Sequence, residues 1–193
     1  IINNKKISLI SEIKKASPSA GILVKNFNHL DIAKIYVDNG ATCLSVLTEE
    51  KNFLGKLDYI EDIKGKFKIP VLAKDFFIDP YQIALSKSFG CDCILIIIAA
   101  LDNKQIDDIY SEAIKNNLSV IVEVYDKKEA ERALKRIYQI YPNDTEIETR
   151  YNYIMLGDGN NALKNKNYDD ANVIYKTIID NNPSNKDAYL GLI

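Results

Sequence analysis

The chain of 193 residues is long enough for one good domain, or one domain and a small appendage. Apolar residues make up 47%, enough for a buried core, and the net charge of −2 gives no electrostatic basis for binding nucleic acid or a membrane surface. No apolar run approaches the ~20 residues that cross a bilayer; the longest, "CILIIIAAL" over 93–101, has the length of a fully buried strand.

The first residues carry no signal-peptide pattern and no initiating Met, so the natural start is expected upstream. Strands are predicted over 7–13, 43–47, 69–73, 92–98 and 119–124. Their starts recur at the spacing of βα units, and their Ile, Val and Leu content with little alternation suits strands covered on both faces. The helices between them have readable ends. Asn28 caps a helix running to Asn39, with Gly40 past its end. Asp79 caps another, with Pro80 at the first helical position and Gly90 at the stop. Asp102 opens a helix whose Ile106, Ile109, Tyr110 and Ala113 form one apolar stripe, and Asp126 opens "KKEAERAL". Five βα units are therefore expected before the pattern stops.

From about 135 onward no strand signal survives. The segment 159–183 places Ala162, Tyr168, Ala171, Tyr175, Ile178 and Pro183 at helix-hairpin spacing. "NKDAYLGLI" over 185–193 restarts the pattern, with Tyr189 and Leu192 following Met155 and Asp158 by 34 residues. A 34-residue period marks a tetratricopeptide-type repeat, although Asp158 stands where that pattern has Leu. The segment 127–134 is readable either as the last barrel-type helix or as a repeat helix.

Cys43, Cys91 and Cys93 are too few and too irregularly spaced for a disulfide framework or a zinc site. They lie in or beside apolar strand patterns, which predicts buried, reduced thiols in a cytoplasmic protein. His29 is the only histidine and falls in a polar stretch at a helix start, so Ser-His-Asp and Cys-His mechanisms are not expected. No GxGxxG or phosphate-loop pattern occurs.

Chemistry is expected where the apolar runs end. In a parallel α/β fold the carboxyl ends of the strands share one rim. Glu12 and Lys14 end the first run and, two apart on a strand, face the same way. Lys74 ends the third beside Phe76, where an ammonium suits a general acid; its bland alternative is a snorkelling surface lysine. Glu123 follows "SVIV", and a carboxylate there is costly unless used or paired. The loop "KASPSAG" over 15–21, with Ser17, is by itself only a turn signal.

Taken together, "SEIKKASPSAG" (11–21), "LSVLTEEKNFLGKLDYI" (44–60), "IPVLAKDFFIDPYQI" (69–83), "GCDCILIIIAAL" (90–101) and "VIVEVYDKKEAERAL" (120–134) resemble the indole-3-glycerol phosphate synthases. The resemblance covers about 7–134. It implies that the α/β part over 1–134 is an incomplete (β/α)8 TIM barrel of about five βα units, and the 34-residue period predicts an all-α tetratricopeptide-like tail over 135–193. The resemblance further implies a carbon–carbon lyase of tryptophan biosynthesis that closes an indole ring with loss of carbon dioxide and water. By the same resemblance Lys74 is the general acid, Glu123 the base or relay carboxylate, and Glu12 the residue that orients them. Lys14 and Ser17 then contact a phosphorylated small-molecule substrate, and Phe53, Phe76 and Leu95 line the pocket for its aromatic ring. No metal or organic cofactor is implied. Nothing in 135–193 matches the family's later motifs, an Asn, an Arg, a Glu-Ser-Gly turn and a Gly-Ser phosphate cradle. Impaired activity is therefore expected. The alternatives are a non-catalytic barrel remnant with a protein-binding helical tail, or a composite or fragment of two genes.

Overall fold

The computed structural model describes residues 8–192. Ile7, which opens the first expected strand, and Ile193, which ends the tail pattern, lie outside them. The chain divides into two compact units, Ile1–Tyr125 and Asp126–Ile193.

The first unit is built on a parallel five-stranded sheet of β1 (Ile10–Ile13), β4 (Cys43–Leu47), β5 (Val71–Lys74), β6 (Cys93–Ile97) and β7 (Ser119–Glu123), in that spatial order. Each lies within or one residue beyond its expected run. Alternate residues point to opposite faces. Leu44, Val46, Val71, Ala73, Ile94 and Ile96 are fully buried on one face. The helices α1 (His29–Asp38), α2 (Asp58–Lys66), α3 (Pro80–Ser88) and α4 (Asn103–Lys115) contribute Ala33, Ile60, Ile63, Ile83, Ile106, Ile109 and Ala113, all fully buried. On the other face Cys43, Leu72, Cys93 and Leu95 form a smaller cluster, with Ile97 and Ile121 packed against it. All three thiols are buried and free.

The expected caps form. Asn28 accepts from the backbone N–H groups of Leu30 and Asp31, and Asp79 and Asp102 each complete a capping box, with Gln82 and Gln105. Two elements differ from expectation. The stretch read as a turn folds into a two-residue antiparallel ribbon, β2 (Ala16–Ser17) with β3 (Gly21–Ile22), closed by Gly21 at φ +65. Helix α2 starts with no capping side chain, so no N-cap residue announces it.

The second unit is all helical over the described residues: α5 (Lys127–Ile140), α6 (Thr145–Lys164), α7 (Tyr168–Asn181) and α8 (Lys186–Gly191). Asp126, Asp144, Asn167 and Asn185 cap them in turn. Helix α5, readable either way from sequence, packs on α6. The core is Met155, Ala171, Tyr175, Ile178 and Ala188. Tyr175 has no exposed surface, and its hydroxyl donates to Asn160 Oδ1 at 2.7 Å. Gly159 and Gly191 leave room for its ring: a Cβ on either would lie within 2.8 and 2.3 Å of ring carbons.

Candidate active site

Because all five strands run the same way, their carboxyl ends meet along one rim. There Leu47 of β4 is in register with Lys74 of β5, and Ile97 of β6 with Glu123 of β7. These four residues line one cavity of about 210 Å³. Glu49, Phe53, Asp75, Phe76 and Leu95 complete its wall.

Glu12, on β1, reaches Lys74: its Oε1 accepts from Lys74 Nζ at 2.7 Å, and its Oε2 pairs with Lys14 Nζ at 2.5 Å. Burial by itself would raise the Glu12 carboxyl, but the hydrogen bonds and charges of Lys14 and Lys74 outweigh it and hold the group below its ordinary value. Two ammonium groups share one carboxylate, which makes this edge locally cationic and suited to an anionic group, while Glu49, Asp75 and Glu123 keep the rest of the wall acidic. All three side chains are about one-third exposed, so solvent screens the ion pairs and ligand can reach them.

The opposite character comes from the aromatic wall. The rings of Phe53 and Phe76 lie 6.4 Å apart at 48°, within the range of tilted aromatic pairs. Phe76 is 44% exposed, so its ring stands open to a ligand. Beneath these rings the loops after β4 and β5 are joined. The backbone N–H of Thr48 donates to the Lys74 carbonyl at 3.1 Å, and its hydroxyl donates to Asp75 Oδ2 at 2.7 Å. Burial pushes the Asp75 carboxyl up, against the lowering effect of the Thr48 and Phe76 hydrogen bonds.

Of the residues singled out from sequence, Lys74, Glu123, Phe53, Phe76 and Leu95 line this cavity, and Glu12 is bonded to Lys74. Lys14 reaches it through Glu12. Ser17 stands apart from the lining, in β2, where its hydroxyl accepts from the Ala20 N–H at 3.3 Å. His29 lies elsewhere, stacked on Tyr59 and hydrogen-bonded to Asp62. Sequence reasoning missed Glu49, Asp75, Leu47 and Ile97. The rule that selected Lys74, a residue at the end of an apolar run, also reaches Glu49, two residues past β4. Among the described residues no group of three His, Cys, Asp or Glu is placed to hold a metal, and no helix is long and apolar enough to cross a membrane.

Comparison with known proteins bears on the fold and the family. The chain is similar to 3-hexulose-6-phosphate synthase at a TM-score of 0.53 and 19% identity, over 68% of this chain and 60% of that one, a TIM-barrel-like neighbour in fold. It is 50% identical over 133 residues to an indole-3-glycerol phosphate synthase of Legionella pneumophila, covering 69% of this chain and 52% of the relative. It is 48% identical over 130 residues to that of Polaromonas naphthalenivorans, covering 67% and 49%. The chain thus spans about half the length of the curated relatives it matches. The profile described as indole-3-glycerol phosphate synthase matches residues 2–140. Matched by that family over most of its length, the chain belongs to the indole-3-glycerol phosphate synthase family.

Proposed function

We propose that the first unit carries the acid and base of a carbon–carbon lyase of tryptophan biosynthesis, acting on a carboxyphenylamino-deoxyribulose 5-phosphate. The observation that carries this reading is the placement of Lys74 and Glu123 on the wall of one cavity, from strands β5 and β7. The aryl carbon bearing the carboxylate attacks the ribulose carbonyl carbon, and Lys74 delivers a proton to the carbonyl oxygen as the new bond forms. Carbon dioxide leaves and its electron pair restores the benzene ring. Lys74 is reprotonated from solvent and gives this second proton to the hydroxyl, which departs as water, while Glu123 removes the ring-carbon proton whose loss completes the indole. Glu12 orients Lys74, and Lys14 and Ser17 contact the anionic groups. Phe53, Phe76 and Leu95 hold the aryl ring in the apolar half of the cavity.

Turnover in this chain is weak, because 135–193 supplies none of the family's phosphate-binding motifs. Single-turnover mixing of excess chain with substrate, followed by indole-glycerol phosphate fluorescence, tests the reading. Slow product formation that Lys74→Ala removes supports it; no product from the parent chain rules it out. Rapid multiple turnover would instead overturn the impairment.

A second reading concerns 135–193, which we propose as a tetratricopeptide-like segment appended to the partial barrel of 1–134. It draws on the packing of Gly159 and Gly191 against Tyr175. It also draws on an open groove of about 660 Å³ lined by Tyr153, Leu156, Asn160, Leu163 and Leu190 among others. A protein partner would dock there. Capture of one defined partner by the whole chain, lost in Leu190→Asp, would support this role, and equal capture by both would exclude the groove.

A further inference from the structure

The loop between β4 and α2 is closed by a single carboxylate. Glu49 Oε2 accepts from the backbone N–H groups of Asn52 at 2.7 Å and Phe53 at 2.9 Å. Its Oε1 accepts from the Lys51 N–H and from Asn52 Nδ2, each at 3.1 Å. Each oxygen therefore carries two donors from one short turn. Partial burial would raise this carboxyl, but the backbone donors outweigh it and hold the group below its ordinary value. The turn is braced from behind: the Gly55 N–H donates to the Glu49 carbonyl at 2.8 Å, and Leu54 takes a left-handed φ of 54.

The last residue gripped by Glu49 is Phe53, whose ring packs at a tilt against that of Phe76 on the cavity wall. Glu49 itself lines that cavity. A carboxylate with both oxygens occupied by loop donors is a poor proton acceptor and a good anchor. We infer that Glu49 is a positioning residue for aryl recognition: it sets the Phe53 ring against Phe76 before ligand arrives, so that the aromatic end of the ligand meets a preformed slot. The ordering of the loop is then completed in the free protein and is not charged against binding.

This inference rests on the proposed aryl-binding reading, and its test separates the two. Backbone hydrogen exchange at Lys51, Asn52 and Phe53 is measured alongside binding of 2-aminobenzoate, followed by the probe's own fluorescence. In Glu49→Gln an amide nitrogen replaces one acceptor oxygen. Exchange at those three positions accelerates, and the 2-aminobenzoate dissociation constant rises about tenfold, the scale of one or two lost hydrogen bonds. Asn52→Ala removes the side-chain donor alone and produces a smaller change in the same direction. Phe53→Leu weakens binding while leaving exchange at Lys51 and Asn52 unchanged. If exchange in Glu49→Gln stays at the parental rate, or accelerates while aryl affinity holds and Phe53→Leu still loses it, the positioning role is overturned. If the parent chain does not bind 2-aminobenzoate at all, the aryl-pocket reading itself fails, and the inference with it.

Discussion

Glu12 Oε1 lies 2.7 Å from Lys74 Nζ although 62 positions separate the two residues along the chain. The contact spans β4, which lies between β1 and β5 in the sheet. Its electrostatic consequence is testable without substrate. The Glu12 carboxyl is held below its ordinary value of 4.5 in the folded state. A depressed carboxyl contributes stability that is present above the unfolded-state value and is lost as pH falls through the folded one. Urea midpoints measured downward from pH 6 should therefore fall below about pH 4.5 more steeply in the parent than in Glu12→Gln. Parallel pH profiles would show that the pair contributes nothing to folding.

Removal of either proposed proton carrier should strike chemistry before stability. Lys74→Ala and Glu123→Gln are each expected to lower single-turnover product formation by about 10²-fold or more. The urea midpoint of Glu123→Gln should stay near the parent's, because the side chain lies at the cavity rim, and that of Lys74→Ala should fall only by the small contribution of its partly exposed ion pair with Glu12. Stopped-flow fluorescence and a denaturation curve on the same samples separate the two effects.

Gly55 has no space for a side chain. A Cβ there would sit 2.2 Å from the Leu47 carbonyl oxygen and 3.0 Å from that of Glu49, both backbone atoms. Gly55→Ala must displace the end of β4, at a cost of about 1–3 kcal/mol. Chemical denaturation would read this as a lower midpoint with an unchanged slope.

In the second unit, Tyr175→Ala empties the centre of the helical core and should cost about 3–5 kcal/mol. Tyr175→Phe keeps the ring and loses only the bond to Asn160, about 1 kcal/mol. A far-UV melt of both variants checks the ratio; equal losses would mean that the hydroxyl, not the ring, holds the helices.

The three thiols should be inert in the native chain. Burial pushes Cys91 up to about 11 and Cys93 up to about 12, and raises Cys43 as well. A thiol reagent at pH 8 should label none of them until denaturant is added, as mass spectrometry of the intact chain would report.

The strands were legible because their signals are local and dense. β4, β5 and β6 lie almost entirely buried, and runs of Ile, Val and Leu bounded by polar residues announce that state. Asn28, Asp79, Asp102 and Asp126 were readable as caps because a cap is a contact over two or three residues. Lys74 and Glu123 stood out as charges set at the ends of apolar runs. Glu49 also follows an apolar run, but two residues past its end in "TEEKNF", which reads as an ordinary polar loop, and its role arises only when three successive amides curl around it. The β2–β3 ribbon escaped for a similar reason: two residues a side carry no period. In the tail, the tyrosines at 168 and 175 look alike on paper. One is 64% exposed at the start of α7 and the other is fully enclosed, a difference set by which helix faces which.

Thr48 holds the strand β5 end twice, through its N–H to the Lys74 carbonyl and through its hydroxyl to Asp75. The segments bearing Phe53 and Phe76 therefore share one root. Substitutions on these two segments should show epistasis: the effect of altering both will depart from the sum of the separate effects, and Thr48→Val, which keeps the N–H bond and the ring contact, should reduce that departure without abolishing it. For directed evolution of this mouth, the two segments form a single unit of variation and are best randomised jointly.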